Sequence, residues 1–478
     1  MNKINLLIVK PGAQKILYQD LSKDLTGIEP PLWAALLAGF IRDKGFMVDL
    51  IDETVNPKKV IPTIKKKRPL ICAIVVSGIN PSASTMNMIG TRSLLKKINS
   101  LDFNVKPFTI LIGLHPAALP EQTIEEEDVD FVCDGEGFYT LLDLLNEVPL
   151  YKIRNLWRDD GCVSNKKADL IDFNDLPLPA WDLLPMHKYR AHNWHSWSNN
   201  NIRQPYGVIY TSFGCCYNCS FCGINAMFKK HVIRYLSVDN VIKQVDLLVN
   251  KHKIKNIKIA DEMFDLHEDH VVHVCAAIAN RKYDLNIWAY ARIDTINERK
   301  LKFMKKAGIN WIGYGIEAAN VRVKNAINKE QFDIKRVKEI VKLTHKLGIN
   351  VGGNYIFGLP EDDLLSMKET FKLARELNCE YNNIYCYSAF PGAPMYKDID
   401  KKDLPATWDG YSQFGYNSQP LPTKYLTPEQ ILKFRDQAYI SITNSKRYQN
   451  MILKKFGKET LKQVQNSLKY KLKRRILE

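Results

Sequence analysis

No apolar run in this sequence approaches the roughly 18 residues that a membrane-spanning helix needs. No small-residue cleavage site follows the opening MNKINLLIVKPG, which reads as a first β-strand rather than a signal peptide. Together the two absences predict a cytoplasmic protein. Acidic residues are in the minority, 52 against 68 Lys and Arg, giving a formal charge of +16. That sign suits nucleic acid or phosphate. The excess is spread along the chain, however, as solvated Lys faces would spread it. Its one dense stretch, Lys469 to Arg475, is expected on a terminal helix, and nucleic acid is not the expected partner. Disulfides are not expected either, because a reducing compartment keeps thiols free. Six of the ten cysteines are scattered (Cys72, Cys133, Cys162, Cys275, Cys379, Cys386), and those in apolar runs read as small core residues.

What is present is a two-part α/β pattern. The length of 478 residues exceeds one ordinary core, and 45% hydrophobic with 25% charged residues is ordinary for a globular chain. Residues 1–150 alternate apolar strands with amphipathic stretches: Asn5–Gly12, Phe46–Asp52, Ile71–Gly78, Phe108–Gly113 and Val129–Gly137. PPLWAALLAGFIRDKG reads as a helix with Pro at its start and Gly at its end. Such alternation predicts a doubly wound parallel sheet, whose ligands sit beyond the carboxyl ends of the strands. Residues 151–200, including DFNDLPLPAWDLLP, read as an ordered linker. A second series of six βα units fills 201–400 and predicts a partial (βα)6 barrel with its active face at the carboxyl ends. The extension 401–478 reads as loop and then helices from Thr427, closing the barrel's open side. Trp408, Tyr411, Phe414 and Tyr416 in it read as aromatic core.

The remaining four cysteines crowd into SFGCCYNCSFCGIN, directly after the first strand of the second series. Cys215, Cys219 and Cys222 have the spacing C-x3-C-x2-C. Three thiolates on one loop can hold one face of a cubane cluster and leave one iron open to chelate a substrate. Cys216, next to Cys215, is expected to point elsewhere. A zinc site is the competing reading, but it wants a fourth Cys or His nearby, and only His231 follows within ten residues.

The segment from about 205 to 400 resembles the radical S-adenosylmethionine (SAM) superfamily, which uses a partial βα barrel and this three-cysteine loop. The resemblance implies a [4Fe-4S] cluster on Cys215, Cys219 and Cys222, with SAM on its open iron. It implies an adenine-side packing contact at Phe221 and a SAM ammonium site at Asp261 and Glu262, where Ala260-Asp261-Glu262 stands in place of the more familiar Gly-Gly-Glu. A carboxylate there can pair with an ammonium. Arg292 would reach the SAM carboxylate and Glu317 the ribose. Each of these residues has the alternative of being a buried polar group satisfied by backbone.

The domain order, with GLHPAALP and GEG ahead of the linker, resembles the cobalamin-binding radical SAM class over about 400 residues. Cofactor contacts would then fall at Ser77, Gly78, Asn80, Gly113, His115, Gly135 and Glu136. The Asp-x-His-x-x-Gly cobalt-ligand motif of the cobalamin mutases is absent; the corresponding turn SGINPSAST has no His. A vestigial scaffold is the alternative for this domain.

The resemblance implies cleavage of SAM to a 5′-deoxyadenosyl radical and, with cobalamin, methylation of an unactivated centre of a small biosynthetic intermediate. An external electron donor of flavodoxin or ferredoxin type would reduce the cluster. Ring closure, rearrangement or oxidation by the same core is one alternative. RNA modification is another, against which stand the lack of a second three-cysteine set and of a C-terminal RNA-binding barrel.

Overall fold

The computed structural model describes residues 3–78, 84–158, 166–329 and 332–478. The N-terminal unit is a six-stranded sheet of β1 (Leu6–Lys10), β2 (Val48–Asp52), β3 (Ile71–Val76), β4 (Phe108–Gly113), β5 (Phe131–Cys133) and β6 (Leu156–Arg158). Its order is β2-β1-β3-β4-β5-β6, with the first five strands parallel. β3 is apolar and buried throughout, as a strand covered on both faces must be. The sequence reading of five strands is short by one. β6 lies in the stretch read as linker and pairs antiparallel with β5. Three residues at a sheet edge show too little alternation to be read as a strand.

The helix Leu32–Asp43 is buried at every position from Leu32 to Ile41. A helix apolar all round needs cover on all sides. This one packs on its own sheet and also on the second unit: Trp33 meets Phe138 and Phe173 at 5.5 and 6.4 Å between ring centroids, and Phe213 and Phe228 at 5.6 and 6.3 Å.

The second unit begins with β7 (Tyr206–Ile209), followed by the two-stranded ribbon β8 (Ser212–Phe213) and β9 (Arg234–Tyr235). β10 (Asn256–Ile259), β11 (Asn286–Ala291), β12 (Ile309–Glu317), β13 (Asn350–Phe357) and β14 (Tyr381–Cys386) then extend β7 in sequence order, all parallel. This is the open (βα)6 barrel expected, with β7 and β14 as its edges. The stretch read as linker has a second task, because it plugs the amino end of the barrel. Trp194 packs on Trp288, Trp311 and Tyr381, and His195 is tied to Asn286 at the start of β11.

The C-terminal region folds into the helix Pro428–Thr443, opened by a Thr427/Gln430 capping box, and the helical stretch Lys446–Ser467, which is broken by a kink at Gly457 (φ +85°). The basic run Lys469–Arg475 is not on a terminal helix, which ends at Ser467. It forms a strap across the N-terminal unit. Gln19 hydrogen-bonds the Lys473 backbone on both sides, and buried Arg474 grips Asp436 and the carbonyls of Gln413 and Gly415. These tertiary contacts outweigh the helix propensity of Lys, Leu and Arg. Among the described residues no helix is long and apolar enough to cross a membrane.

Candidate active site

The cysteine loop is held from both ends. Asp261, at the end of β10, accepts hydrogen bonds from Thr211 N (2.7 Å), Thr211 Oγ1 (2.5 Å) and Ser212 Oγ (2.7 Å). Its neighbour Glu262 accepts from Gly214 N at 3.1 Å. Gly214 has φ +87°, and a Cβ there would lie 2.3 Å from Val232 O, so this turn requires glycine. At the far end Ser220 bonds Ile327 O and Met395 N through its backbone, and Gly223 packs against Pro391 O. The loop thus presents Cys215, Cys219 and Cys222 to a cavity of about 1070 Å3, while Cys216 is exposed and off its lining.

Burial pushes the Cys215 thiol up to about 12 and the Cys222 thiol up to about 11. Those two thiols therefore keep their protons until a metal displaces them. Among the described residues no three His, Cys, Asp or Glu side chains converge as a site for a single ion. The donor set facing the cavity is Cys215, Cys219 and Cys222 on one loop, with Cys216 turned away, and three thiols suit a cluster with one open iron.

Phe221, Asp261, Glu262, Arg292 and Glu317 line the same cavity. Their chemistry differs. Asp261 is fully buried and committed to the β7–β8 turn. Glu262 is pushed up to about 8, chiefly by burial, with a smaller push from Asp261. Arg292 makes a two-point bond to Asp294 (2.9 and 2.8 Å), lies 3.8 Å over the Tyr217 ring and places Nη1 3.8 Å from Cys219 Sγ. Glu317 follows a bulge in β12 with φ +59° and pairs with Lys329 at 2.6 Å; Lys329 Nζ stands 5.9 Å over Phe221.

The opposite wall comes from the carboxyl ends of the N-terminal strands. Ser77, Gly78 and Gly113 line it. Gly113 has φ +135° and leaves no room for a Cβ, which would meet Val76 O at 2.3 Å. Asn80 lies outside the described residues. His115, Gly135 and Glu136 are not on the cavity lining. His115 is buried, 3.2 Å from Thr85 Oγ1 and edge-on to Trp408, and desolvation lowers its ring to about 3, so it stays neutral. Gly135 packs against the Asn155 side chain. Glu136 pins the two units together: its carboxylate takes Arg234 (2.6 Å) and Ile171 N (2.9 Å), and its carbonyl takes Trp33 Nε1. The placement follows from charge, since a carboxylate so buried finds a cation and a backbone donor.

Two family models match the chain: the radical SAM superfamily over residues 209–374 and the B12 binding domain over 19–145. The chain belongs to the radical SAM superfamily, with a B12 binding domain ahead of the core. An uncharacterized methyltransferase of Pyrococcus horikoshii is 29% identical over 455 residues, covering 92% of this chain and 93% of that protein. The anaerobic magnesium-protoporphyrin IX monomethyl ester cyclase of Rubrivivax gelatinosus is 24% identical over 404 residues, 80% of this chain and 69% of that one. In fold, the radical SAM methyltransferase TsrM of Kitasatospora setae, solved with cobalamin and a [4Fe-4S] cluster, superposes with a TM-score of 0.66. It has 16% identity and covers 84% of this chain and 79% of TsrM.

As a radical SAM enzyme with a B12 binding domain, the chain takes a [4Fe-4S] cluster, SAM and cobalamin as cofactors. The residues present fit that set: three cavity-facing thiols on one side, and on the other a strand-end wall where Gly113 lets backbone come close. Sequence reasoning missed the polar centre of this radical SAM chamber. Lys258, inward on β10, pairs with Glu29 of the N-terminal unit at 3.0 Å, and both line the cavity. A Lys within the apolar strand NIKI was a legible signal; Glu29, ahead of Pro-Pro, was not. Nor did any local pattern mark Tyr18, Tyr290, Tyr381 and Arg435, which join the lining from four separate elements.

Proposed function

We propose that this enzyme methylates an unactivated centre of a small biosynthetic intermediate. One observation carries the reading: the three cluster cysteines and the strand ends of the B12 binding domain border a single cavity. When bound, the cluster with SAM supplies a hydrogen-abstracting 5′-deoxyadenosyl radical, and cobalamin carries the methyl group. The chain's own residues hold and shield. Glu262, protonated when buried alone, accepts the SAM ammonium as a carboxylate partner. Asp261 acts one step back, fixing Thr211 and Ser212 and through them the loop. Arg292, locked by Asp294 and stacked on Tyr217, sets a fixed positive charge beside Cys219. Trp33, Phe213 and Phe228 pack at the seam between the two units and exclude water there. Reduction would come from an external flavodoxin- or ferredoxin-type donor, and the reading places the enzyme in the cytoplasm.

The test is product analysis on cobalamin- and cluster-loaded protein with candidate substrates. S-adenosylhomocysteine and 5′-deoxyadenosine appearing together support methylation. 5′-Deoxyadenosine alone under full turnover overturns it. That second outcome would favour ring closure, the reading to which the cyclase relative points.

A further inference from the structure

The cavity wall farthest along the barrel sheet from β7 is built around Arg435, on the helix Pro428–Thr443. Its Nε donates to Ile384 O of β14 at 2.8 Å, and its Nη1 to Asp436 Oδ1 at 2.6 Å. Asp436 is shared, because Arg474 also reaches it through Nε and Nη2, both at 3.1 Å. Two guanidinium groups thus divide one carboxylate, and the triad keeps one positive charge in excess. The Arg435 and Arg474 side chains are only 5% and 2% exposed. Arg474 spends its Nη1 on the carbonyls of Gln413 and Gly415. Arg435 Nη2 has no partner among the described residues, and Arg435 lines the cavity. A buried guanidinium with an open donor and an uncompensated charge is costly unless an anion meets it.

Its surroundings suit an anion with an apolar body. The guanidinium lies 5.1 Å over Phe414 and 5.9 Å over Tyr439. Tyr381 and Tyr385, next to it on β14, feel its charge. The hydroxyls of Tyr18, Tyr290, Tyr381 and Tyr439, all on the lining, have no hydrogen-bond partner among the described residues. Glu29, a carboxylate of the same cavity, is held by Lys258. Leu17, Ile440, Val464 and Leu468 give this wall its apolar part, beside the polar Asp436, Gln413, Thr443, Ser467 and Lys471.

We propose that Arg435 anchors an acidic group of the substrate, so that the enzyme acts on an apolar acid, carboxylic or phosphoric, held by its anionic end and presented along the chamber toward the cysteine loop. Phenol hydroxyls donate to the remaining acid oxygens, as charge-assisted hydrogen bonds favour. The assignment rests on the cavity being the substrate chamber of the proposed reaction, and it names the class of molecule that enters it.

The test needs no turnover. Decanoate, decyl phosphate, 1-decanol and decylammonium share one apolar body and differ in the head. Each is titrated by calorimetry into full-length protein loaded with cluster and cobalamin. At least one anion is expected to bind about tenfold or more tighter than the alcohol and the ammonium, the scale of one charge-assisted hydrogen bond. Which anion leads tells carboxylate from phosphate. Arg435→Gln is expected to erase that preference, Arg435→Lys to keep part of it, and Tyr381→Phe to weaken both anions. Alcohol or ammonium binding as tightly as both anions overturns the proposal, as does binding of none of the four. An anion preference unchanged in Arg435→Gln overturns it too. Should Arg435→Gln fail to retain cobalamin, the wild-type series with Arg435→Lys and Tyr381→Phe decides. Product analysis that excluded methylation would leave this binding result standing, so the two failures are separable.

Discussion

Glu29 and Lys258 form a 3.0 Å ion pair across the two units, with side chains 9% and 1% exposed. Lys258 Nζ also lies 5.0 Å over Trp288 and 5.9 Å over Tyr290. Burial pushes Glu29 up, while Lys258 and Lys10 pull it down. The pair fixes how the B12 binding domain faces the barrel. Removing one partner leaves the other charge buried, which costs about 3–5 kcal/mol. Glu29→Gln is expected to lower the thermal midpoint and loosen cobalamin retention. Glu29→Gln with Lys258→Met should recover most of the loss. A single variant as stable as wild type would show that the pair does not pin the domains.

Cluster ligation is predicted to separate four adjacent cysteines by position. Cys215→Ala, Cys219→Ala and Cys222→Ala should each abolish the visible absorbance of the reconstituted cluster. Cys216→Ala should retain it, because that side chain faces solvent and not the cavity. Loss of absorbance in Cys216→Ala would contradict the ligand set.

Asp261 is predicted to act on the loop rather than on SAM. Its oxygens already take three hydrogen bonds from Thr211 and Ser212. Asp261→Asn should cut cluster incorporation, and Thr211→Val should do so in part without touching the cavity charge. If Asp261→Asn incorporates a full cluster and only weakens SAM binding, the direct-contact alternative is right.

Glu262 makes two pH predictions. Its folded value near 8 is above its unfolded one, so the stability it contributes is present below about 4.5 and lost as pH rises through about 8. Glu262→Gln should therefore be relatively more stable than wild type above pH 8, as chemical denaturation across pH 6 to 9 would read. SAM, which needs the carboxylate, should bind wild type more tightly as pH rises from 6 to 8. Glu262→Gln should bind it weakly with no such slope. A flat wild-type profile would remove Glu262 from the ammonium site.

Much of the fold was legible because its signals are local. NLLIVKPG and ICAIVVSG announce buried strands by composition, and PPLWAALLAGFIRDKG announces a helix by the Pro at its start and the Gly at its end. The three-residue β6 and the barrel plug at Trp194 were not legible, because edge pairing and end-capping of a barrel leave no period in the chain. His115 and Glu136 illustrate the same limit at the site. Each belongs to a turn of the right kind, yet burial turned one toward Trp408 and the other toward Arg234.

The sequence by itself determined the thiol pattern of the loop. Three cysteines and their spacing are written in eight consecutive residues, and a loop that short carries its thiols wherever it goes. It also determined the two α/β units, since strand and helix periods are properties of neighbouring residues. Only the tertiary structure decided what surrounds the cluster. Glu29 meets Lys258 across 229 residues and Arg474 meets Asp436 across 38, with Arg435 bridging to β14. Such pairings are selected by the cost of burying a charge without a partner, and that cost exists only once the domains have closed.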